Sequence, residues 1–174
     1  PARSGRTNTT KDTYNNVKKI PEVVINVVNY EIVHQMSLAS SPYPSNTDEF
    51  IKSGLTPIDS DSVKPYRIKE SPVQFECKVN EVIELGDQGG AGNLIICEVL
   101  KIHISEEILD ENGMIDQHKI DLVARVGVCY YYRYGEDRVL RQPLRRQRQI
   151  CISDSSPEET TTMVNDALNC APET

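Results

Sequence analysis

The sequence predicts a mainly β, α+β fold, in which a small antiparallel barrel is bordered by short helices. Two long strand-like segments, 73–83 and 94–104, are joined by a glycine-rich connection. Such a pair is typical of a hairpin, and antiparallel strands of this length suit a small barrel. The helical segments are short, and Pro21 and Gly54 stand where two of them are expected to end.

The first predicted element is a short helix from Tyr14 to Ile20, preceded by a basic, threonine-rich leader. Thr10 and Asp12 are both suitable N-caps for it. A helix start leaves backbone N–H groups unpaired and carries a partial positive charge, so an anionic group is stabilised there. The leader therefore fits a phosphate site. A capped helix behind a flexible leader is the alternative interpretation, and these residues alone favour it.

The chain between this helix and the hairpin is expected to consist of short elements and loops. Glu22–Val28 is a β-branched, nearly continuous apolar run, which predicts a strand buried on both faces. The further elements are a helix from Glu31 to about Leu38, an irregular surface loop rich in Ser and Pro over 37–46, and a helix over 48–54 with Phe50 and Ile51 as its anchors.

The strongest strand signal is the alternation of apolar and polar residues over 73–83. It puts Val73, Phe75, Cys77 and Val79 on one face of a half-buried strand. The alternation slips by one place after Val79, which indicates a β-bulge.

The glycines after this strand favour a loop. Residues 86–93 lie between two strands rather than between a strand and a helix, so a hairpin loop is favoured over a dinucleotide-binding fingerprint. Residues 110–113 predict a turn, and 120–134 predict a last strand with a tyrosine cluster. The sequence then becomes polar and arginine-rich, so the predicted domain covers 1–137 and a divergent tail covers 138–174.

Composition narrows the classes of partner. The 174 residues carry 19 Lys and Arg against 26 Asp and Glu, a net charge of −7 with a pI near 5.0. This acidic excess argues against a general nucleic-acid binder. No apolar stretch approaches the length of a membrane span. We therefore expect no membrane partner. The five cysteines form no C-x-x-C pair and no metal-ligand spacing, so we expect no metal site and a reducing, cytoplasmic location.

The ionisable residues form no catalytic constellation in the sequence. His34, His103 and His118 are widely separated, and the paired carboxylates lie at a predicted hairpin edge. Catalytic residues therefore stay unassigned. Any chemistry is expected to come from a cofactor, with the protein contributing binding, orientation and electrostatics.

Four ordered segments carry a family signature, namely NTTKDTYNNVKKIPEVVINVVN, HQMSLASSPYP, DEFIKSGLTPIDS and SPVQFECKVNEVIELGDQGGAGNLIICEVLKIHI. In this order and spacing they resemble the flavin reductase-like family of FMN-binding split β-barrels, and its flavoredoxin-type members most of all. The resemblance covers roughly residues 3–134. Family members carry further N-terminal strands that complete the barrel and the flavin pocket, so the chain is expected to be the C-terminal portion of the family domain, incomplete at its N-terminus.

The resemblance implies an FMN-binding oxidoreductase that transfers hydride from NADH or NADPH to flavin, and a homodimer. It implies that the segment around the first helix binds the FMN phosphate, and the cofactor-binding residues that follow are Arg6, Thr10, Lys11, Asp12 and Thr13, with Asp12 better suited to capping than to ligation. The later segment Gly127–Tyr131 departs from the family pattern. Two alternatives stay open: an FMN-carrying electron-transfer protein, and a truncated, non-catalytic barrel fragment.

Overall fold

The structure is a computed structural model, which describes residues 4, 8–126, 130–133 and 139–141. Strands dominate, and the helices are short, which confirms the predicted mainly β, α+β class. The elements are α1 (Asp12–Lys19), β1 (Glu22–Asn26), α2 (Val33–Ala39), α3 (Glu49–Ser53), β2 (Pro57–Ile58), β3 (Arg67–Ile68), β4 (Val73–Glu84), β5 (Asn93–Ile104), a 3-10 turn (Glu106–Ile108), β6 (Val123–Val126), β7 (Tyr130–Arg133) and β8 (Val139–Arg141).

The main sheet has the strand order β1-β4-β5, with both neighbouring pairs antiparallel. β4 and β5 form the predicted hairpin across the glycine-rich connection. Their register shifts between Glu76 and Cys77 and again between Val79 and Glu81. The second shift is the bulge that the slipped alternation predicts, because an extra residue reverses which face the following side chains occupy.

The strand β1 forms as predicted, but the prediction that it is buried on both faces is wrong. The strand ends at Asn26, pairs with β4, and has no second partner strand among the described residues. Ile25 is 51% exposed. It lies beside Phe75, which in turn lies beside Ile102 on β5. A β-branched run specifies a strand, but the sequence does not tell whether a second layer covers it.

The core lies at one end of this apolar face. Val73, Ile108 and Ile120 form its buried cluster, with Val27 and Phe75 packed against it. The 3-10 turn and the following loop therefore cover only the part of the sheet near the start of β4. Farther along, Cys77 and Val79 on β4 are also buried, whereas Ile96, Val99 and Ile102 on the neighbouring β5 are 41–51% exposed.

On the opposite face of the sheet, the loop between β2 and β3 is hydrogen-bonded to a buried carboxylate of β4, that of Glu76. Glu76 is 0% exposed, and its carboxylate accepts hydrogen bonds from the backbone N–H groups of Asp61 (2.9 Å) and Ser62 (2.6 Å). His103 Nε2 lies 2.7 Å and Arg67 Nε lies 3.5 Å from Glu76 Oε1. The loop between β2 and β3 is thus fastened to a strand position that alternation alone predicts to be solvent-facing.

The helix predicted over 48–54 is confirmed, but one of its anchors is wrong. Asp48 caps α3 by accepting from Phe50 N at 2.9 Å, and Gly54 ends it with a φ of 72°. Ile51 is 78% exposed, whereas Ser53 is buried. The predicted surface loop over 37–46 is also shorter than expected, because its first three residues complete α2.

The predicted single strand over 120–134 is wrong. Two strands, β6 and β7, occupy this stretch and pair antiparallel, and β8 pairs with β7 inside the region predicted as tail. Segments 127–129, 134–138 and 142–174 lie outside the described residues. Arg133 Nε donates to Asp121 Oδ1 at 2.7 Å and its guanidinium stacks 4.0 Å from the Tyr30 ring, which joins this sheet to the chain after β1.

Candidate functional site

The start of α1 is the candidate anion site. The N-cap is Lys11, with φ −82° and ψ 154°, and its side chain makes no capping hydrogen bond. The prediction that Thr10 or Asp12 caps the helix is therefore wrong, and Asp12 is the first helical residue. A lysine offers no acceptor, so it leaves the first-turn N–H groups available to an anionic ligand.

The predicted phosphate contacts lie together at this helix start. Thr10 is half-buried, and Lys11, Asp12 and Thr13 are exposed. Before them, Asn8 N donates to Ser4 O at 3.0 Å. Arg6 lies outside the described residues. The arrangement offers hydroxyl, ammonium and backbone N–H donors, which is the set that binds a phosphate by charge-assisted hydrogen bonds.

The sequence analysis did not identify what holds α1 in place. Val17 is the buried residue of the helix. On its exposed side, the Tyr14 hydroxyl donates to the Glu84 carboxylate at the end of β4. Lys18 Nζ lies 3.6 Å from the same carboxylate and 5.3 Å from the centre of the Tyr14 ring. No local signal could have found this pairing, because 70 residues separate Tyr14 from Glu84.

Carboxylates also lie around the site. Burial raises the pKa of Glu49, and the negative charges of Asp12 and Asp48 raise it further. The start of α3 therefore lies within electrostatic reach of the start of α1. These acids oppose an arriving anion, so its binding would depend on the helix N–H groups and on Lys11.

A second cluster could hold a metal by spacing alone. Ligand atoms of Asp61, Glu76 and His103 lie within 4.8 Å of one another. All three groups already have protein partners, because the Lys101 ammonium donates to the Asp61 carboxylate, and Arg67 and His103 Nε2 lie against Glu76. We assign this cluster to the attachment of the β2–β3 loop.

Among the described residues, no helix has the length and apolar character needed to cross a membrane.

Comparison with known proteins identifies the class. A sequence profile described as "Flavin reductase like domain" matches residues 5–133. The chain therefore belongs to the flavin reductase-like family, as its motifs predict.

Two relatives show how much of a family protein is present. The chain is 38% identical over 130 residues to an uncharacterized protein of Aquifex aeolicus (strain VF5), covering 74% of this chain and 64% of the relative. It is 33% identical over 137 residues to an uncharacterized protein of Halalkalibacterium halodurans, covering 78% and 65%. The chain thus spans a little under two-thirds of the length of these relatives.

Solved structures show the same fold. Nitrilotriacetate monooxygenase component B from Bacillus cereus is 26% identical with a TM-score of 0.70, covering 80% of this chain and 68% of that one. Flavoredoxin of Desulfovibrio vulgaris (Miyazaki F) is 26% identical with a TM-score of 0.64, covering 72% and 66%. A Shewanella frigidimarina putative flavin reductase with a split barrel domain is 28% identical with a TM-score of 0.62, covering 76% and 65%. The predicted split-barrel fold is confirmed, although the described strands do not close a barrel.

Proposed function

We propose that the protein is an FMN-binding oxidoreductase that uses NADH or NADPH to reduce flavin, and that the FMN phosphate binds at the start of α1. The observation that carries this proposal is the uncapped first turn behind Lys11 in a chain of the flavin reductase-like family. Thr10, Lys11 and Thr13 would contact the phosphate, together with Arg6 of the leader.

The donor set fits a phosphate monoester. Lys11 compensates charge, two threonine hydroxyls donate, and the first-turn N–H groups point along the helix axis. Asp12 cannot donate as a carboxylate, so its role is to interact favourably with the helix dipole rather than to bind the ligand. When bound, FMN supplies the hydride acceptor, and the residues of this chain bind and orient it.

The anchoring of α1 supports the proposal. A binding site is effective when its donors are held before the ligand arrives. Val17 packs inward and Tyr14 and Lys18 meet Glu84, so the helix start is fixed relative to the end of β4. The ligand would not have to order this segment on binding.

Two other functions each have an observation in their favour. Similarity to a flavoredoxin favours an FMN-carrying electron-transfer protein. The open apolar face around Ile25 and Ile102 favours a partial barrel that does not act as a catalyst alone.

The same face supports a homodimer, because exposed apolar surface of this kind favours association. We place the protein in the cytoplasm.

Flavin binding separates these functions. The purified protein should bind FMN more tightly than riboflavin, measured by quenching of flavin fluorescence. Steady oxidation of NADH or NADPH with FMN would identify a flavin reductase, and binding without oxidation would identify an electron carrier. Absence of flavin binding would favour the fragment. Light scattering tests the dimer.

A double variant tests the phosphate site. Lys11→Ala/Thr13→Ala should weaken FMN binding about 10- to 100-fold, since one or two charge-assisted hydrogen bonds are lost. Riboflavin affinity should not change, because riboflavin has no phosphate. Lys78→Ala, which removes an exposed lysine from β4, is the charge-matched control. An unchanged FMN affinity in the double variant would show that the phosphate lies elsewhere.

A further inference from the structure

The glycine-rich connection between β4 and β5 begins beside α1. Glu84 is the last residue of β4 and lies opposite Asn93, the first residue of β5. Its carboxylate accepts a hydrogen bond from the Tyr14 hydroxyl and lies 3.6 Å from Lys18 Nζ. Two residues of α1 therefore meet one carboxylate at the base of the connection. The hairpin itself does not require this contact, because its strands are paired through their backbones.

The contact involves the first turn of α1 directly. The first hydrogen bond of the helix runs from Asn15 N to Lys11 O at 3.1 Å. The N–H groups of the three residues between them, 12–14, therefore precede the helical ladder. Tyr14 is one of these three, so the residue whose side chain is held by β4 also carries one of the N–H groups that face an anion. A shift of the Tyr14 side chain would move that donor with it.

Lys18 adds a second point of attachment on the same face of the helix. It lies one turn after Tyr14, with Nζ 5.3 Å from the centre of the Tyr14 ring. Val17 is the buried residue of α1, and a single buried side chain leaves the helix free to rotate about its axis. Two polar contacts with one carboxylate restrict that rotation, so Glu84 sets the direction in which the first-turn N–H groups point.

We propose, on the basis of the proposed function, that Glu84 is a positioning residue for phosphate binding and couples the glycine-rich connection to the start of α1. A carboxylate repels a phosphate, so Glu84 acts through Tyr14 and Lys18 rather than by contacting the ligand. By linkage, the factor that Glu84 adds to FMN affinity is the factor by which bound FMN strengthens the Glu84 contact. The Leu85 amide, which donates to Gly92 O at 3.3 Å, should therefore exchange its hydrogen more slowly when FMN is bound.

The experiment compares FMN with riboflavin, which has no phosphate, by quenching of flavin fluorescence. Glu84→Ala removes both contacts and should weaken FMN binding about 3- to 10-fold, while riboflavin affinity stays unchanged. Glu84→Gln keeps an acceptor for the Tyr14 hydroxyl and should recover part of the loss. Adding Tyr14→Phe to Glu84→Ala should cost little more, because both variants break the same contact. Glu81→Ala, at an exposed glutamate of the same strand, is the charge-matched control.

Hydrogen exchange supplies a second measurement. FMN, but not riboflavin, should slow exchange of the Leu85 amide in the unaltered protein, and this protection should be absent in Glu84→Ala. Protection by FMN that persists in Glu84→Ala would overturn the coupling. Fully additive losses of FMN affinity in Tyr14→Phe and Glu84→Ala would show that the two residues act separately, and would overturn it as well.

The two flavins separate positioning from folding and from the proposed function. Equal weakening of FMN and riboflavin in Glu84→Ala, with a lower thermal midpoint, would show that Glu84 only stabilises the fold and overturns the proposal. Unchanged FMN affinity in Glu84→Ala, together with a loss in Lys11→Ala/Thr13→Ala, would also overturn it and leave the phosphate site standing. If the unaltered protein binds FMN no more tightly than riboflavin, the proposed phosphate site fails, and this inference fails with it.

Discussion

Replacing the buried carboxylate of Glu76 tests how the β2–β3 loop is held on the sheet. In Glu76→Gln, the side-chain shape stays but the charge is lost. One of the two carboxylate oxygens becomes an NH2 group, which faces the donors from Asp61, Ser62 or His103. The variant therefore both weakens the bonds it keeps and places donor against donor.

The magnitude follows from these contacts. Hydrogen bonds to a charged group contribute about 1.5–3 kcal/mol each, and breaking a buried charged network costs about 3–5 kcal/mol. Because Glu76 is 0% exposed, solvent cannot replace the lost contacts. We expect Glu76→Gln to lower the free energy of unfolding by about 3–5 kcal/mol, which corresponds to a fall in Tm of roughly 6–20 °C for a domain of this size.

Urea denaturation followed by circular dichroism measures this loss. Glu81→Gln is the matched control, because Glu81 is an exposed glutamate on the same strand and its replacement should change stability by about 0.5 kcal/mol or less. A loss below about 1 kcal/mol in Glu76→Gln would refute the reasoning. It would mean that the carboxylate's contacts with the loop do not persist in solution.

Three further predictions concern pH, a glycine and an arginine. Desolvation of the buried Glu76 carboxylate raises its pKa, but the hydrogen bonds from Asp61, Ser62 and His103 lower it by more. The net pKa of Glu76 therefore lies below its usual value. The stabilisation by Glu76 is therefore complete above its unfolded-state pKa and is lost as pH falls through its folded-state pKa. On acidification, the free energy of unfolding should fall less in Glu76→Gln than in the unaltered protein. An equal fall in the two proteins would contradict this. Gly54→Ala should destabilise by about 1 kcal/mol because φ is 72° with open space around the new Cβ, whereas Gly92→Ala, where φ is not positive, should cost less in the same urea assay. Arg133→Lys should cost about 1–2 kcal/mol, since lysine replaces neither the paired bonds to Asp121 nor the stacking on Tyr30; a Tm equal to that of the unaltered protein would contradict the role of this contact.

Local chemistry made much of the fold predictable. The alternation in β4, the slip after Val79 and the glycine-rich connection are short-range signals, and each corresponds to an observed element. Asp48 and Gly54 likewise mark the two ends of α3 through their own capping chemistry. The grouping of Thr10, Lys11 and Thr13 at a helix start was also predictable, because these residues are adjacent in sequence.

Tertiary structure decided what contacts these elements. Glu76 occupies a polar position in an alternating strand, and it is buried only because the backbone of the β2–β3 loop donates to it. Ile25 stays exposed because no described strand lies beyond β1. Tyr14 holds α1 through a residue far along the chain. Periodicity and capping act over a few residues, whereas burial depends on which distant segments pack together. The sequence by itself therefore determined most of the elements of this protein and its family, and the three-dimensional packing determined their environment.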